Sequence, residues 1–172
     1  MLAEFIGNDL SRVAGEIEKL LISVKEGEEI TPALIQDNIG VSREYNVFEL
    51  QEALAVRDEL KANRIVNHFA ANEKDNPLVM VLSSLYNYFI KLYKFHSLPE
   101  KSKGAIAWAL GVNPYFADGY ARAAANYPPG RLVSIFGALK ECDLKSKGIG
   151  NPSVPGGELL KELVYRILHN VN

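Results

Sequence analysis

Few residue types able to do chemistry occur in this chain, and they are scattered. His68, His96 and His169 are the three histidines, and none has a histidine or carboxylate partner at metal-ligand spacing. Glu162 and His169 lie seven residues apart, close to two helical turns, too wide to share one ion without a third ligand. Each histidine therefore reads as a surface or half-buried polar residue. Carboxylate pairs such as Glu28-Glu29 and Glu16 with Glu18 fall in loops or on solvated faces, without the contrasting environments that separate an acid from a base. No Gly-x-x-x-x-Gly-Lys-Ser/Thr phosphate loop occurs. Gly148-Ile149-Gly150, the nearest imitation, lacks the lysine and leads through Pro152 and Pro155 into a helix connection. The sequence offers no catalytic residue, no metal ligand set and no cofactor site. Cys142 is the single cysteine. It excludes an intrachain disulfide, fits a reducing cytoplasm, and reads as a small packed or partly exposed helical residue.

The basic residues are better organised. Lys91, Lys94, Lys101 and Lys103 cluster around Pro99, while Arg131, Lys140, Lys145 and Lys147 lie on or near one helix. Trp108, Tyr115, Phe116, Tyr120 and Tyr127 fall between the two groups. Lysines interleaved with aromatics can track a phosphate backbone and stack on bases, so Lys101, Lys103, Lys145 and Lys147 are candidate DNA contacts. The plainer reading is a solvated helical face with the aromatics, Trp108 and Tyr127 included, in the core. Lys145 and Lys147 also suit the negative end of a helix dipole. A net charge of −2 argues against a strongly basic nucleic-acid binder.

These residues must be positioned by helices, because strand-type alternation competes nowhere along the chain. At 172 residues the chain sits at the boundary between one domain and two. Its longest apolar run, Leu78 to Leu82, is far too short to span a membrane. No positive flank precedes the first apolar residues, so no signal peptide is read. The first helix spans about residues 9–24, with Asn8 or Asp9 as cap and Leu10, Val13, Ile17, Leu20 and Leu21 as its apolar stripe. Thr31 caps a short helix with Pro32 in its first turn, carrying Leu34, Ile35 and Ile39 and stopping at Gly40. Phe48, Leu50, Leu54 and Val56 share the next helix, and Asp58 caps another that carries Leu60, Ile65, Val66 and Phe69. The most apolar helix, over 77–96, places Leu78, Leu82, Leu85, Tyr86, Phe89, Ile90 and Tyr93 on one wide face and should be central. Shorter helices follow near Lys103–Leu110 and Tyr115–Ala125, and Pro128-Pro129-Gly130 breaks the chain. A long helix from about Arg131 to Lys147 follows. After it comes a loop over 148–157, then a last helix with Leu160, Leu163, Val164, Ile167, Leu168 and Val171 on one side.

Two strings carry a resemblance. The first is Gly7-Asn8-Asp9-Leu10-Ser11 running into Arg12-Val13-Ala14-Gly15-Glu16-Ile17-Glu18-Lys19-Leu20-Leu21. It resembles the lid-domain helix of the delta subunit of DNA polymerase III, the clamp-opening member of the bacterial clamp loader. The second, Gly40-Val41-Ser42-Arg43-Glu44-Tyr45-Asn46-Val47-Phe48-Glu49-Leu50, resembles the passage from lid to collar in that family. Asn76-Pro77-Leu78-Val79, Asn113-Pro114-Tyr115-Phe116 and Cys142-Asp143-Leu144-Lys145-Ser146-Lys147-Gly148 follow in the family's order.

The resemblance implies an all-α fold. Residues 1–41 would be the C-terminal part of the AAA+ lid and residues 42–172 a helical-bundle collar domain. It implies a non-catalytic member of the DNA polymerase III holoenzyme, without ATP or other cofactor. The collar would assemble with tau/gamma and delta-prime subunits in the cytoplasm, with no membrane partner. The sliding clamp would be contacted through an N-terminal domain that this sequence does not contain, and primed DNA would enter only in the full complex. The helix-like start at Leu2-Ala3-Glu4-Phe5-Ile6 suggests a piece of a longer polypeptide. The face of Leu2, Phe5, Ile6, Leu10, Val13 and Ile17 would then lack its cover and favour self-association. The alternatives are a helical scaffold unrelated to replication, which would take a partner helix in an apolar groove, and a small helical enzyme, which would need a pocket with convergent polar groups.

Overall fold

A computed structural model of the chain describes residues 10–24, 29–31, 34, 45–150 and 154–169. It forms two compact units, Met1–Tyr45 and Asn46–Asn172. Every regular element among the described residues is helical, and no helix there is long and apolar enough to cross a membrane.

In the first unit, α1 spans Leu10–Ser23. Leu20 is buried, Val13 and Ile17 are half-buried, and Leu10 and Leu21 are exposed. The expected stripe is therefore covered only along part of its length. The Leu34 amide donates to Thr31 Oγ1 at 3.2 Å, the contact a threonine cap makes. Asn8, Asp9, Pro32, Ile35, Ile39, Gly40 and the Leu2, Phe5 and Ile6 face lie outside the described residues, as does Val171 at the other end of the chain.

Among its described residues the second unit holds seven α-helices: α2 (Val47–Ala55), α3 (Glu59–Ala71), α4 (Leu78–His96), α5 (Lys103–Leu110), α6 (Ala117–Asn126), α7 (Pro129–Ser146) and α8 (Gly156–His169). A 3-10 turn at Pro114–Phe116 leads into α6. Short polar side chains start several of them. Asn46 Oδ1 accepts from the Phe48 and Glu49 amides at 2.9 and 3.0 Å. Asp58 Oδ1 accepts from Lys61 at 2.9 Å, and Asn113 Oδ1 accepts from Tyr115 at 2.9 Å. Each cap satisfies an amide that has no partner within its own helix.

The break before α7 is shorter than expected, because α6 ends at Asn126 and only Tyr127 and Pro128 separate the two helices. Pro129 begins α7, because its fixed φ is already helical and its missing N–H costs nothing in the first turn. Gly156 and Gly157 likewise belong to α8 and not to the preceding loop.

α4 is the hub, packing against α2, α5, α6, α7 and α8. Its buried side is Val81, Leu82, Leu85, Tyr88, Phe89, Leu92 and Phe95. Full burial of one such residue stabilises the fold by about 1.5–3 kcal/mol. This face is rotated from the expected one: Tyr86 and Tyr93 are 49% and 40% exposed, and Tyr88 is inside. Leu60 and Val56 are also exposed.

Three helices end with a residue in the left-handed region, at Gly111 (φ 61°), Gly148 (φ 80°) and Arg57 (φ 57°). At the last, Asp58 N–H bonds to Ala53 O at 2.8 Å and Arg57 N–H to Leu54 O at 3.0 Å, the paired closure that usually recruits glycine. Arginine stands there because its side chain has another use. Arg57 Nη2 donates to Leu168 O, and Arg131 Nη2 donates to Ile167 O and Leu168 O at 2.7 and 2.8 Å. Two guanidinium groups thus cover the last carbonyls of α8, where the helix dipole favours positive charge.

The other end of α8 is fixed by Glu73, whose Oε1 accepts from Gly157 N–H at 2.7 Å. A Cβ built on Gly157 would lie 2.5 Å from Ala70 Cβ and 2.8 Å from Ala70 Cα, so α3 and α8 meet through a glycine. Gly→Ala normally stabilises a helix interior by about 1 kcal/mol. At this position Gly157→Ala is expected to destabilise by about 1–3 kcal/mol, because backbone must move to admit the methyl. Denaturant unfolding of the two proteins gives the sign.

Candidate interaction surface

Tyr127 anchors the interior from which the outer faces are built. It is completely buried, and its hydroxyl donates to Leu54 O at 2.6 Å. Its ring meets Phe89 edge-on at 5.4 Å, and the Arg131 guanidinium lies 5.2 Å from its centroid. Burial pushes the phenol up to about 12, against the opposing pull of Arg131 and Arg57. Asn126 Nδ2 donates to Ala55 O at 2.8 Å, and His96 Nε2 lies 2.8 Å from Tyr127 O. These bonds tie the ends of α2, α4 and α6 to the start of α7.

On the outside two aromatic features stand out. Trp108 on α5 is 88% exposed, which corrects its expected place in the core. Gly104, one turn earlier, has nothing within 4 Å of where a Cβ would sit, so the surface beside the indole is low. The second feature joins α4 and α7: Phe136 lies between Tyr86 and Tyr93, at ring distances of 5.8 and 6.0 Å. Val79 and Val133 are exposed on the same two helices. The second surface was not singled out from the sequence, although Val79, Tyr86 and Tyr93 recur at sevens, a spacing that keeps residues on one helical face.

The four lysine candidates do not form one patch of free charge. Lys103 pairs with Asp118 at 2.6 Å and Lys147 with Asp143 at 2.6 Å. Lys145 bridges Glu141 and Glu162, each at 2.9 Å. The Lys101 ammonium rests 5.1 Å from the centre of the Phe95 ring, a cation–π contact.

Arg166 joins the Lys145 cluster, with Nη1 donating to Glu141 Oε2 at 2.7 Å. The hydrogen bonds from Arg166 and then Lys145 hold the Glu141 carboxyl below its ordinary value. A carboxyl depressed in the folded state binds protons more readily when unfolded. Its contribution to stability is therefore present above the ordinary carboxylate value and is lost as pH falls through the folded one. In melts taken from pH 6 down to pH 3, the Tm difference between the chain and Glu141→Gln is expected to shrink toward zero at the acid end.

The remaining chemical groups lie as structural parts. Cys142 is buried, its thiol 3.7 Å from Leu159 O, and burial raises it to about 11, so it holds little of the reactive thiolate at neutral pH. The pocket beside it, lined by Cys142, Lys145, Glu162 and Arg166 among others, encloses about 10 Å³, room for roughly one water. His96 is half-buried, and the His169 ring lies 4.3 Å from that of Tyr165, tilted by 40°. Among the described residues no group of His, Cys, Asp or Glu is placed to hold a metal.

A family model described as DNA polymerase III delta subunit, C-terminal domain, matches residues 44–160. The fold is similar to that of the solved Bacillus subtilis DNA clamp loader delta protein, with a TM-score of 0.65 and 21% identity. That alignment covers 98% of this chain and 49% of the solved one, so the chain spans about half the length of that relative. No curated protein matches it in sequence.

Proposed function

The chain belongs to the family formed by the C-terminal domain of the DNA polymerase III delta protein, and on that premise we propose that it is an assembly module of a clamp loader. In this reading residues 42–172 form the collar domain and residues 1–41 the end of the lid. The collar joins the tau/gamma and delta-prime subunits in the cytoplasm, within an assembly that loads a sliding clamp onto primed DNA. The chain itself is non-catalytic. One observation carries the reading: the family match runs from 44 to 160, from just before α2 to the first turn of α8, and covers most of the helical unit Asn46–Asn172.

Assembly needs an outward anchor, and Trp108 supplies one. Tryptophan is among the residues most enriched where truncation costs an interface most. An interface of about 1,200–2,000 Å² in total would be usual for such a contact. Lys101, Lys103, Lys145 and Lys147 stay in the proposal as DNA contacts. Lys101 stands first among them, because each of the others must leave a carboxylate to meet a phosphate.

Biolayer interferometry of the immobilised chain against the purified tau/gamma subunits, the ATPase members in this reading, from the same organism tests it. Saturable binding to at least one of them is the expected result. Absence of binding to all of them at micromolar concentration would contradict it.

A further inference from the structure

We infer that the face shared by α4 and α7 docks an amphipathic helix with acidic margins, carried by a neighbouring member of the clamp loader. The inference rests on the assembly reading above and names the surface and the chemistry of its occupant.

The first observation is shape. Val79, Tyr86 and Tyr93 recur at sevens, with Ser83 and Ile90 between them, so the steps run four, three, four, three. Such spacing keeps the residues on one side of α4, where Phe136 of α7 covers the inner edge of Tyr86 and Tyr93 and their outer edge stays exposed beside Val79. The row extends for about 21 Å at the usual helical rise. Phe136 fills the middle from α7, and Val133 lies one turn away on the same side.

The second observation is Gly137. It is exposed in mid-helix beside Phe136, and nothing lies within 4 Å of a Cβ built there. No contact within the fold asks for glycine at this position, and glycine weakens a helix relative to alanine. A residue without a side chain lets another backbone come close.

The third observation is charge. α4 contains no Asp or Glu in nineteen residues. Lys94 and Lys140, exposed on α4 and α7, have no carboxylate partner among the described residues. Lys74, Lys91 and Lys101 also lack one; what sets Lys94 and Lys140 apart is their place, next to Tyr93 and one turn after Phe136. An occupant with acidic side chains beside its apolar stripe complements these lysines. Valine, isoleucine and phenylalanine along the row suit an apolar helix face better than a phosphate backbone.

The test uses four variants of the full chain and the ATPase subunits of the same clamp loader. Gly137→Arg places a long side chain in open space, so the fold is retained and Tm does not fall. Affinity for the neighbouring protein is expected to drop at least tenfold. Lys94→Glu and Lys140→Glu are each expected to lower affinity and to flatten its dependence on salt, whereas Lys74→Glu, at an exposed turn, leaves both unchanged. If the unmodified chain binds but Gly137→Arg and the two lysine reversals bind equally well, the inference fails and the assembly reading stands. If the reversals weaken binding to primed DNA alone, the face is a nucleic-acid surface and the inference is overturned. If the unmodified chain binds none of those subunits, the assembly reading falls and takes this inference with it.

Discussion

Replacing Tyr127 by alanine is expected to cost about 3–5 kcal/mol of folding stability, the range for deleting a buried aromatic ring. For a chain of this size that is a fall in Tm of roughly 10 °C. The ring is completely buried, packs edge-on to Phe89 and carries the Arg131 guanidinium on its face. Its loss also loosens Arg131, which holds the last carbonyls of α8. Tyr127→Phe separates the two parts of the effect. It keeps the ring and removes only the hydroxyl bond to Leu54 O, a carbonyl that also accepts from Arg57 N–H. A cost near 1 kcal/mol, roughly that of one hydrogen bond, is expected there. Urea unfolding of the three proteins measures both values.

Trp108→Ala is expected to do the opposite. At 88% exposure the indole contributes little to the fold, so stability should change by less than about 0.5 kcal/mol. Its removal is expected to weaken binding to the ATPase subunits by about 2 kcal/mol or more, roughly 30-fold. Interferometry against those proteins, paired with a melt of the same sample, reads the two numbers together. Because Trp108 is the only tryptophan, its emission also reports its surroundings in the free chain. The free chain should show the red-shifted spectrum of an indole in water.

These two residues show where the sequence was legible and where it was not. Both looked like core aromatics. Tyr127 follows α6, outside any helical period, and its burial comes from α2, α4 and α7 closing around it. Trp108 sits in an eight-residue helix with Ile106, Ala107 and Leu110 buried, too short and too apolar for period alone to select the inward face. The same weakness explains α4. Apolar residues occur on nearly all its sides, so the period could place the helix at the centre without fixing its rotation. Tyr88 went in where Tyr86 was expected.

Caps with a local cause were readable from short strings. Asp58 before Glu59–Ala71 is one, and Thr31, whose Oγ1 accepts from the Leu34 amide, another. Arg57 in a left-handed turn was not, because its reason lies at Leu168, more than a hundred residues away. The lysines were visible as a group, but their pairing with Asp118, Asp143, Glu141 and Glu162 depends on how the helices pack. The paired exposed faces on α4 and α7 needed the fold for the same reason. Phe136 is far from Tyr86 in sequence and becomes its neighbour only when the two helices meet.

Whether this chain assembles with clamp-loader proteins is decided by light scattering after size exclusion. The samples are the chain alone, the tau/gamma and delta-prime subunits of its own organism, and the mixture. A co-eluting peak is expected in the mixture, with a mass equal to the sum of its components, and that peak should be lost with Trp108→Ala. Unchanged separate peaks at concentrations well above micromolar would show that the chain is no assembly module.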